Sequence, residues 1–164
     1  MNQNKKIAIV FDHNSRPGTT GEYCLRALEE LADVTHFHPE QLSNQDFSAF
    51  DLVLHIDDGL RYSIPEIKCL SVYWAIDTHL DFEWALQQSR SFDLVFTAQQ
   101  DGAEQLKQAG IPNVEWLPLG CDPVIHGQKD VANPNCGGCQ QLKRLEDPCA
   151  KIDRYIISCC LYPF

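Results

Sequence analysis

The chain has 164 residues, of which 44% are hydrophobic and 22% are charged. A chain of this length and composition can bury a core of its own, which excludes wholesale disorder. The formal net charge of −10 would repel a nucleic-acid backbone or an anionic membrane surface, so we expect neither as a partner.

Membrane insertion and secretion are not expected either. No apolar run reaches the roughly 18 residues that a membrane-spanning helix needs. The polar N-terminus leads straight into the strand-like run that begins at Ile7, with no signal-peptide core and no small-residue cleavage site. We therefore expect a cytoplasmic protein.

Six short apolar runs alternate with segments of helical spacing. The runs cover residues 7–11, 34–37, 51–56, 69–76, 92–98 and 114–117, and the helical segments cover 23–31, 81–90 and 101–109. This alternation predicts a Rossmann-like α/β domain, with a mostly parallel sheet and helices on both faces. The most continuous runs predict the central strands, which are Ile7–Phe11, Leu52–Ile56, Leu70–Ala75 and Leu94–Phe96.

A change in composition near residue 126 predicts a boundary. Residues 1–126 carry 8 basic and 19 acidic side chains, whereas residues 127–164 carry 5 and 4. Five of the eight cysteines also follow residue 126. We expect one domain over 1–126 and an irregular tail over 127–164.

The tail contains the only C-x-x-C pair, Cys136 and Cys139. Together with Cys149 and Cys159 or Cys160 it has the ligand types of a zinc site or the cysteines of a redox protein. A second C-x-x-C pair is absent, and no good strand precedes the first. We therefore expect reduced cysteines and no bound metal, with a small zinc or redox protein as the alternative.

Parallel sheets bind ligands beyond the carboxyl ends of their strands. The first strand is followed by Asp12 and His13, and then by a loop in which Arg16, Gly18, Thr19 and Thr20 are the candidates to bind a phosphate or a sugar hydroxyl. The alternative is a plain turn in which Thr19 or Thr20 caps the helix.

Two further pairs of polar residues follow predicted strands. Asp77 and His79 come after the fourth strand, where a carboxylate and an imidazole can act as a catalytic base and its orienting partner. The alternative is that Asp77 caps the next helix and His79 is solvated. Asp57 and Asp58 follow the third strand and can bind a polyol or a metal, although such pairs are also common in turns.

Trp74 and Trp84 are candidates to stack on a sugar ring, with a place in the core as the alternative for both.

Five stretches between residues 5 and 126 together resemble one family, the CgeB-like (spore maturation protein-like) bacterial glycosyltransferases. They are KIAIVFDHNSRPGTTGEYCLRAL, FDLVLHIDDG, YWAIDTHL, FDLVFTAQQDGAEQLKQAGI and VEWLPLGCDPVIH. The resemblance implies the GT-B architecture, in which an N-terminal Rossmann-like domain holds a sugar or glycan acceptor and a second domain binds the nucleotide sugar. It implies no bound metal and no cofactor, and it places the loop from Asp12 to Thr20, Asp77 and His79 on the acceptor side.

The sequence departs from the family after His126, where a second Rossmann-like domain would follow and only 38 residues remain. We expect a truncated chain that is inactive alone, that needs the missing domain to bind a nucleotide sugar, and that can self-associate. The alternative is a non-catalytic, flavodoxin-like ligand-binding or interaction domain.

Overall fold

A sheet of six parallel strands organises the part of the chain that the structure describes. The computed structural model describes residues 5–13, 19–57 and 59–120. Its strands are β1 (Lys6–Val10), β2 (Asp33–Phe37), β3 (Leu52–Ile56), β4 (Leu70–Ala75), β5 (Leu94–Thr97) and β6 (Val114–Trp116). All pairings are parallel and the strand order is β2-β1-β3-β4-β5-β6. The predicted Rossmann-like class and the four predicted central strands are confirmed.

Within the described ranges, three α-helices and one short 3-10 helix connect the strands. They are α1 (Thr20–Glu29), α2 (Phe82–Ser89), α3 (Gln100–Gln108) and the 3-10 helix Pro39–Asn44. The α-helices were predicted from their spacing, whereas the 3-10 helix was not. Its six residues bury only Pro39 and Leu42, so they offer no apolar period to recognise.

The two faces of the sheet are covered by different helices. Strand side chains alternate between faces, so Ile7 and Leu54 pack with Leu28 of α1 on one face. On the other face, Tyr73 and Val95 pack with side chains of α2 and α3. The prediction of helices on both faces is therefore confirmed.

Local sequence signals mark the start of α2 and the end of α3. The Asp81 side chain accepts a hydrogen bond from the Trp84 backbone N–H at 3.2 Å and caps α2. After α3 the chain turns at Gly110, which has a φ of 92°. Glycine adopts this left-handed conformation without a steric penalty, and this explains the helix end at that position.

Among the described residues, no helix combines the length and the apolar character needed to cross a membrane. The tail 127–164 and its cysteines lie outside the described residues, as do Arg16, Gly18 and Asp58.

Candidate functional site

The order of the strands locates a crevice between β1 and β3. The chain leaves β1 toward β2 on one side, whereas it leaves β3 toward β4 on the other. In parallel sheets this divergence opens a ligand-binding crevice at the carboxyl ends of the two strands. Asp12 and Asp57 each follow the paired residues Val10 and His55 by two positions. Both predicted site residues therefore follow the carboxyl ends of the two strands at this switch point.

Asp12 is held by a residue that the sequence did not single out. It is 3% exposed, and its Oδ1 atom lies 2.9 Å from Nε2 of His38, which follows β2. The other ring nitrogen of His38, Nδ1, accepts a hydrogen bond from the Glu40 backbone N–H at the start of the 3-10 helix. One imidazole thus caps this helix and contacts the buried carboxylate. It joins the ends of β1 and β2.

His13 is the more accessible imidazole of the crevice. Its side chain is 50% exposed, and its Nδ1 atom lies 3.8 Å from a carboxylate oxygen of Glu22 in the first turn of α1. The His36 ring lies 6.0 Å from the His13 ring, and its Nε2 donates to the Phe11 carbonyl oxygen at 2.9 Å. The His13–Glu22 separation exceeds the length of a hydrogen bond, so Glu22 does not orient the imidazole as the partner of a general base would.

The spacing of His36 and His38 in the sequence indicates that the two residues lie together. The two residues stand two positions apart at the end of an edge strand, which places both on the same side of the chain. The rule that selects residues after strand ends applies to β2 as well as to the central strands.

Asp57 is the carboxylate with the most distinctive environment. Its Oδ1 accepts the Gly59 backbone N–H at 3.0 Å, and its Oδ2 accepts the Tyr73 hydroxyl at 3.1 Å. Burial raises the pKa of the Asp57 carboxyl above its ordinary 3.8, and the negative charges of Asp77 and Asp81 raise it further. The two hydrogen bonds oppose this shift in the pKa. A carboxyl whose pKa is raised in a crevice is a candidate for proton transfer.

The Gly59 bond also makes Asp57 part of a turn. A carboxylate that accepts the N–H two residues later forms an Asx turn, so the turn chemistry considered from the sequence is present. The second hydrogen bond, from Tyr73 on β4, goes beyond a local turn and fixes the carboxyl group at the crevice.

Asp77 and His79 lie in the turn after β4, and both are exposed. The Asp77 carbonyl oxygen accepts the Leu80 N–H at 2.9 Å, while Asp81, and not Asp77, caps α2. Between them, Thr78 is buried and donates its hydroxyl to Gln99 at 3.0 Å. The charge of Asp77 acts on Asp57, and His79 forms no hydrogen bond with another described residue. Their catalytic roles stay a prediction.

The start of α1 borders the same crevice. Thr19 occupies the N-cap position, and Thr20 is the first residue of the helix. The Thr19 side chain makes no capping hydrogen bond, so its hydroxyl does not satisfy the helix N–H groups.

His55 is a buried polar residue beneath the crevice. Its Nε2 lies 2.5 Å from the Tyr62 hydroxyl, and its Nδ1 has no hydrogen-bond partner among the described residues. Burial lowers the pKa of His55 from 6.5 to about 3, so the ring is neutral at physiological pH. Alternation alone would class it as a core position of β3.

Trp74 belongs to the core and not to the site. It is buried in β4, and its indole N–H donates to the Leu117 carbonyl oxygen at 3.1 Å. The reading of Trp74 as a core residue is therefore confirmed.

Carboxylates and imidazoles thus follow the carboxyl ends of β1, β2 and β3 in a Rossmann-like α/β sheet. Among the described residues, no group of three or more His, Cys, Asp or Glu side chains is arranged to hold a metal ion. No protein-family model matches the chain, and no curated protein matches it in sequence.

Proposed function

We propose that this domain is the acceptor-binding half of a GT-B glycosyltransferase of the CgeB-like kind, with a sugar or glycan hydroxyl held against Asp57. The observation that carries the proposal is the half-buried Asp57 carboxyl at the β1–β3 crevice, whose pKa is raised by burial. The resemblance in sequence gives the class of reaction.

The chemistry requires a base for the acceptor hydroxyl. As the acceptor oxygen forms its bond to the anomeric carbon of the donor, its proton passes to the base and the nucleotide departs with its electron pair. A carboxylate with a raised pKa accepts this proton more readily than an ordinary one. The Tyr73 hydroxyl at 3.1 Å holds Asp57 in one orientation. In this proposal Asp77 and His79 contact the acceptor from the next turn.

Charge favours a neutral acceptor over an anionic ligand. Residues 1–126 carry 19 acidic and 8 basic side chains, and Asp12, Asp57 and Asp77 follow three neighbouring strands. Carboxylates repel phosphate groups but accept hydrogen bonds from sugar hydroxyls. A nucleotide sugar would therefore be held by the donor domain.

A second function is favoured by the order of the first five strands. The order β2-β1-β3-β4-β5 is that of flavodoxin-like sheets, which bind ligands at the same switch point without glycosyl transfer. A non-catalytic ligand-binding or interaction domain of this shape would use the same crevice and would need no base.

Binding measurements on the chain separate these functions. NMR titration with methyl glycosides is expected to shift the Gly59 amide and the His13 ring signals, and Asp57→Asn is expected to reduce the binding. Asp46→Asn removes an exposed carboxylate before β3 and is the matched control. Calorimetric titration is expected to detect no micromolar binding of nucleotide sugars, and the chain alone should transfer no sugar.

The acceptor proposal fails if a nucleotide sugar binds this chain at micromolar concentration. It also fails if glycosides shift no signal at the crevice. It fails as well if Asp57→Asn binds glycosides as the wild type does and the Asp57 carboxyl of the wild type does not titrate above the ordinary pKa of an aspartate. Flavin mononucleotide is the probe for the flavodoxin-like alternative, and its binding in the crevice would favour that function.

A further inference from the structure

Two adjoining depressions lie along α2, outside the crevice. They measure about 360 and 380 Å³ and share Arg61, Trp84 and Gln87 in their walls. Each volume falls in the range of about 300–1,000 Å³ that is typical of small-molecule sites. The facing wall comes from the segment after β3, which contributes Arg61 and Tyr62.

The shared wall combines an aromatic plane with a guanidinium group. The Arg61 guanidinium carbon lies 5.5 Å from the centre of the Trp84 ring, and the guanidinium is paired with Asp81. Arg61 is thus held over the indole by a cation–π contact and an ion pair. Both groups are accessible from the depressions.

Gln88 supplies the second and independent observation. It is 9% exposed and lines one of the depressions, yet its side-chain amide forms no hydrogen bond with another described residue. The residue is largely buried, but its amide atoms still reach solvent in the depression, so they can form hydrogen bonds with a bound molecule. Its amide borders the space in which a ligand would supply the missing hydrogen bonds.

The floor below Gln88 is fixed in place. Tyr62 lines the same depression, and its hydroxyl contacts the buried His55 ring at 2.5 Å. This contact ties the segment after β3 to the sheet, so the wall opposite α2 is held by the core. A preformed wall reduces the cost of binding.

The charges around Trp84 balance one another. The depression with Asp81 and Glu83 in its wall also contains Arg61 and Arg90, which gives two negative and two positive groups. A charged ligand gains no net attraction there, whereas a neutral ligand with many hydroxyl groups finds amide, carboxylate and guanidinium partners.

We propose that this α2 site binds the pyranose ring of a neutral sugar. The sugar packs against the part of the Trp84 indole that Arg61 leaves uncovered, and it forms hydrogen bonds with the amides of Gln87 and Gln88 and with Arg61. The site is separate from the crevice and does not depend on the function proposed for Asp57.

Titration with uncharged methyl glycosides tests the site directly. We would follow the indole N–H of Trp84 and the side-chain amide of Gln88 by NMR, using the methyl glycosides of glucose, galactose and N-acetylglucosamine up to about 50 mM. Both signals are expected to shift in a saturable manner with at least one of the three. Methyl glucuronide carries a negative charge and is expected to bind no better than the glucoside.

Two variants and two matched controls complete the experiment. Gln88→Leu is expected to keep or raise the melting temperature and to weaken binding about fivefold or more, because it removes ligand hydrogen bonds but no internal one. Trp84→Ala is expected to weaken binding roughly tenfold. Trp116→Ala removes an exposed indole at β6, and Gln105→Leu removes an exposed amide of α3; both should bind like the wild type.

Each result decides for or against the α2 site. Saturable shifts that Gln88→Leu and Trp84→Ala weaken, in variants with native melting curves, support it. The absence of shifts at Trp84 and Gln88 with all three glycosides overturns it, and so does unchanged binding in folded Gln88→Leu. Shifts confined to Gly59 and His13 would overturn the α2 site while supporting the crevice, so the two proposals fail separately.

Discussion

The Nε2 atom of His38 lies 2.9 Å from Oδ1 of Asp12, so the residue that follows β2 is bonded to a carboxylate that follows β1. The other nitrogen of the same ring accepts the Glu40 N–H. A neutral ring that makes both hydrogen bonds carries its hydrogen on Nε2, and this N–H donates a hydrogen bond to the Asp12 carboxylate. Because Asp12 is buried, this bond helps to compensate for the removal of a carboxylate from water.

The first prediction concerns the energy of this bond. His38→Ala removes one hydrogen bond from a buried carboxylate, and we expect it to lower the free energy of unfolding by about 1–3 kcal/mol. Asp12→Asn keeps an acceptor oxygen, so it should lower the free energy of unfolding by less than His38→Ala does. Urea denaturation of both variants and of the double variant gives a coupling energy, expected at about 0.5–3 kcal/mol. His79→Ala is the control, and additive effects would contradict the prediction.

The second prediction concerns the titration of Asp57. Burial raises the pKa of this carboxyl, with Asp77 and Asp81 adding to the shift. We expect its carboxyl carbon signal to titrate above the ordinary 3.8 and the midpoint to fall in Asp77→Asn, which removes a like charge. Glu104→Gln on α3 controls for the loss of any negative charge. A midpoint that Asp77→Asn leaves unchanged would show that the two carboxylates do not interact.

The same shift has a consequence for stability. When the pKa of a carboxyl is higher in the folded than in the unfolded state, that group stabilises the fold at pH values below its unfolded-state pKa. This contribution is lost as the pH rises through the folded-state pKa. At pH 7 the ionised Asp57 therefore opposes folding. Asp57→Asn keeps an acceptor oxygen, so we expect it to be at least as stable as the wild type at pH 7 in thermal melts.

The sequence predicts the sheet well because its central strands are buried on both faces. Such strands read as continuous apolar runs, as Ile7–Phe11 and Leu52–Ile56 do. The rule about strand ends selects Asp12 and Asp57, and each follows by two positions one of the paired residues Val10 and His55. Both inferences need only local patterns and the direction of the strands.

The partners of these residues could not be predicted in the same way. His38 meets Asp12 because β2 lies next to β1, and Tyr73 meets Asp57 because β4 lies next to β3. These contacts depend on the order of the strands, which apolar runs do not encode. The α2 site likewise depends on Arg61 folding back onto Trp84, a contact between residues far apart in sequence.

The third prediction tests the contact between α1 and Phe11, the residue that directly follows β1. A Cβ atom added at Gly21 would lie 2.3 Å from Cγ of Phe11, far inside van der Waals contact. Alanine favours a helix by about 1 kcal/mol over glycine, yet overpacking a core typically costs about 1–3 kcal/mol. We therefore expect Gly21→Ala to lower the free energy of unfolding. Phe11→Ala removes the two nearest atoms, Cγ and Cδ2, so we expect it to cost less stability in the Gly21→Ala background than in the wild type. A Gly21→Ala variant more stable than the wild type would contradict the close packing.

The fourth prediction is a pH dependence that arises from His55. Burial lowers the pKa of this ring from 6.5 to about 3 in the folded protein. Between these values the unfolded chain binds a proton that the folded chain does not bind, so stability falls as the pH falls below about 6.5. From pH 7.5 to pH 5 this one group should lower the free energy of unfolding by roughly 2 kcal/mol.

Two variants separate the ionisation of His55 from its hydrogen bond. His55→Phe removes the titrating ring but keeps an aromatic side chain beside Tyr73 and Phe92, so we expect a flatter pH profile of unfolding than in the wild type. Tyr62→Phe removes the 2.5 Å contact but keeps the imidazole, so its profile should stay as steep as that of the wild type. Denaturant unfolding at several pH values measures all three. Equal slopes in the wild type and His55→Phe would mean that His55 does not remain neutral in the folded core, because a ring that protonates equally in both states contributes no pH dependence.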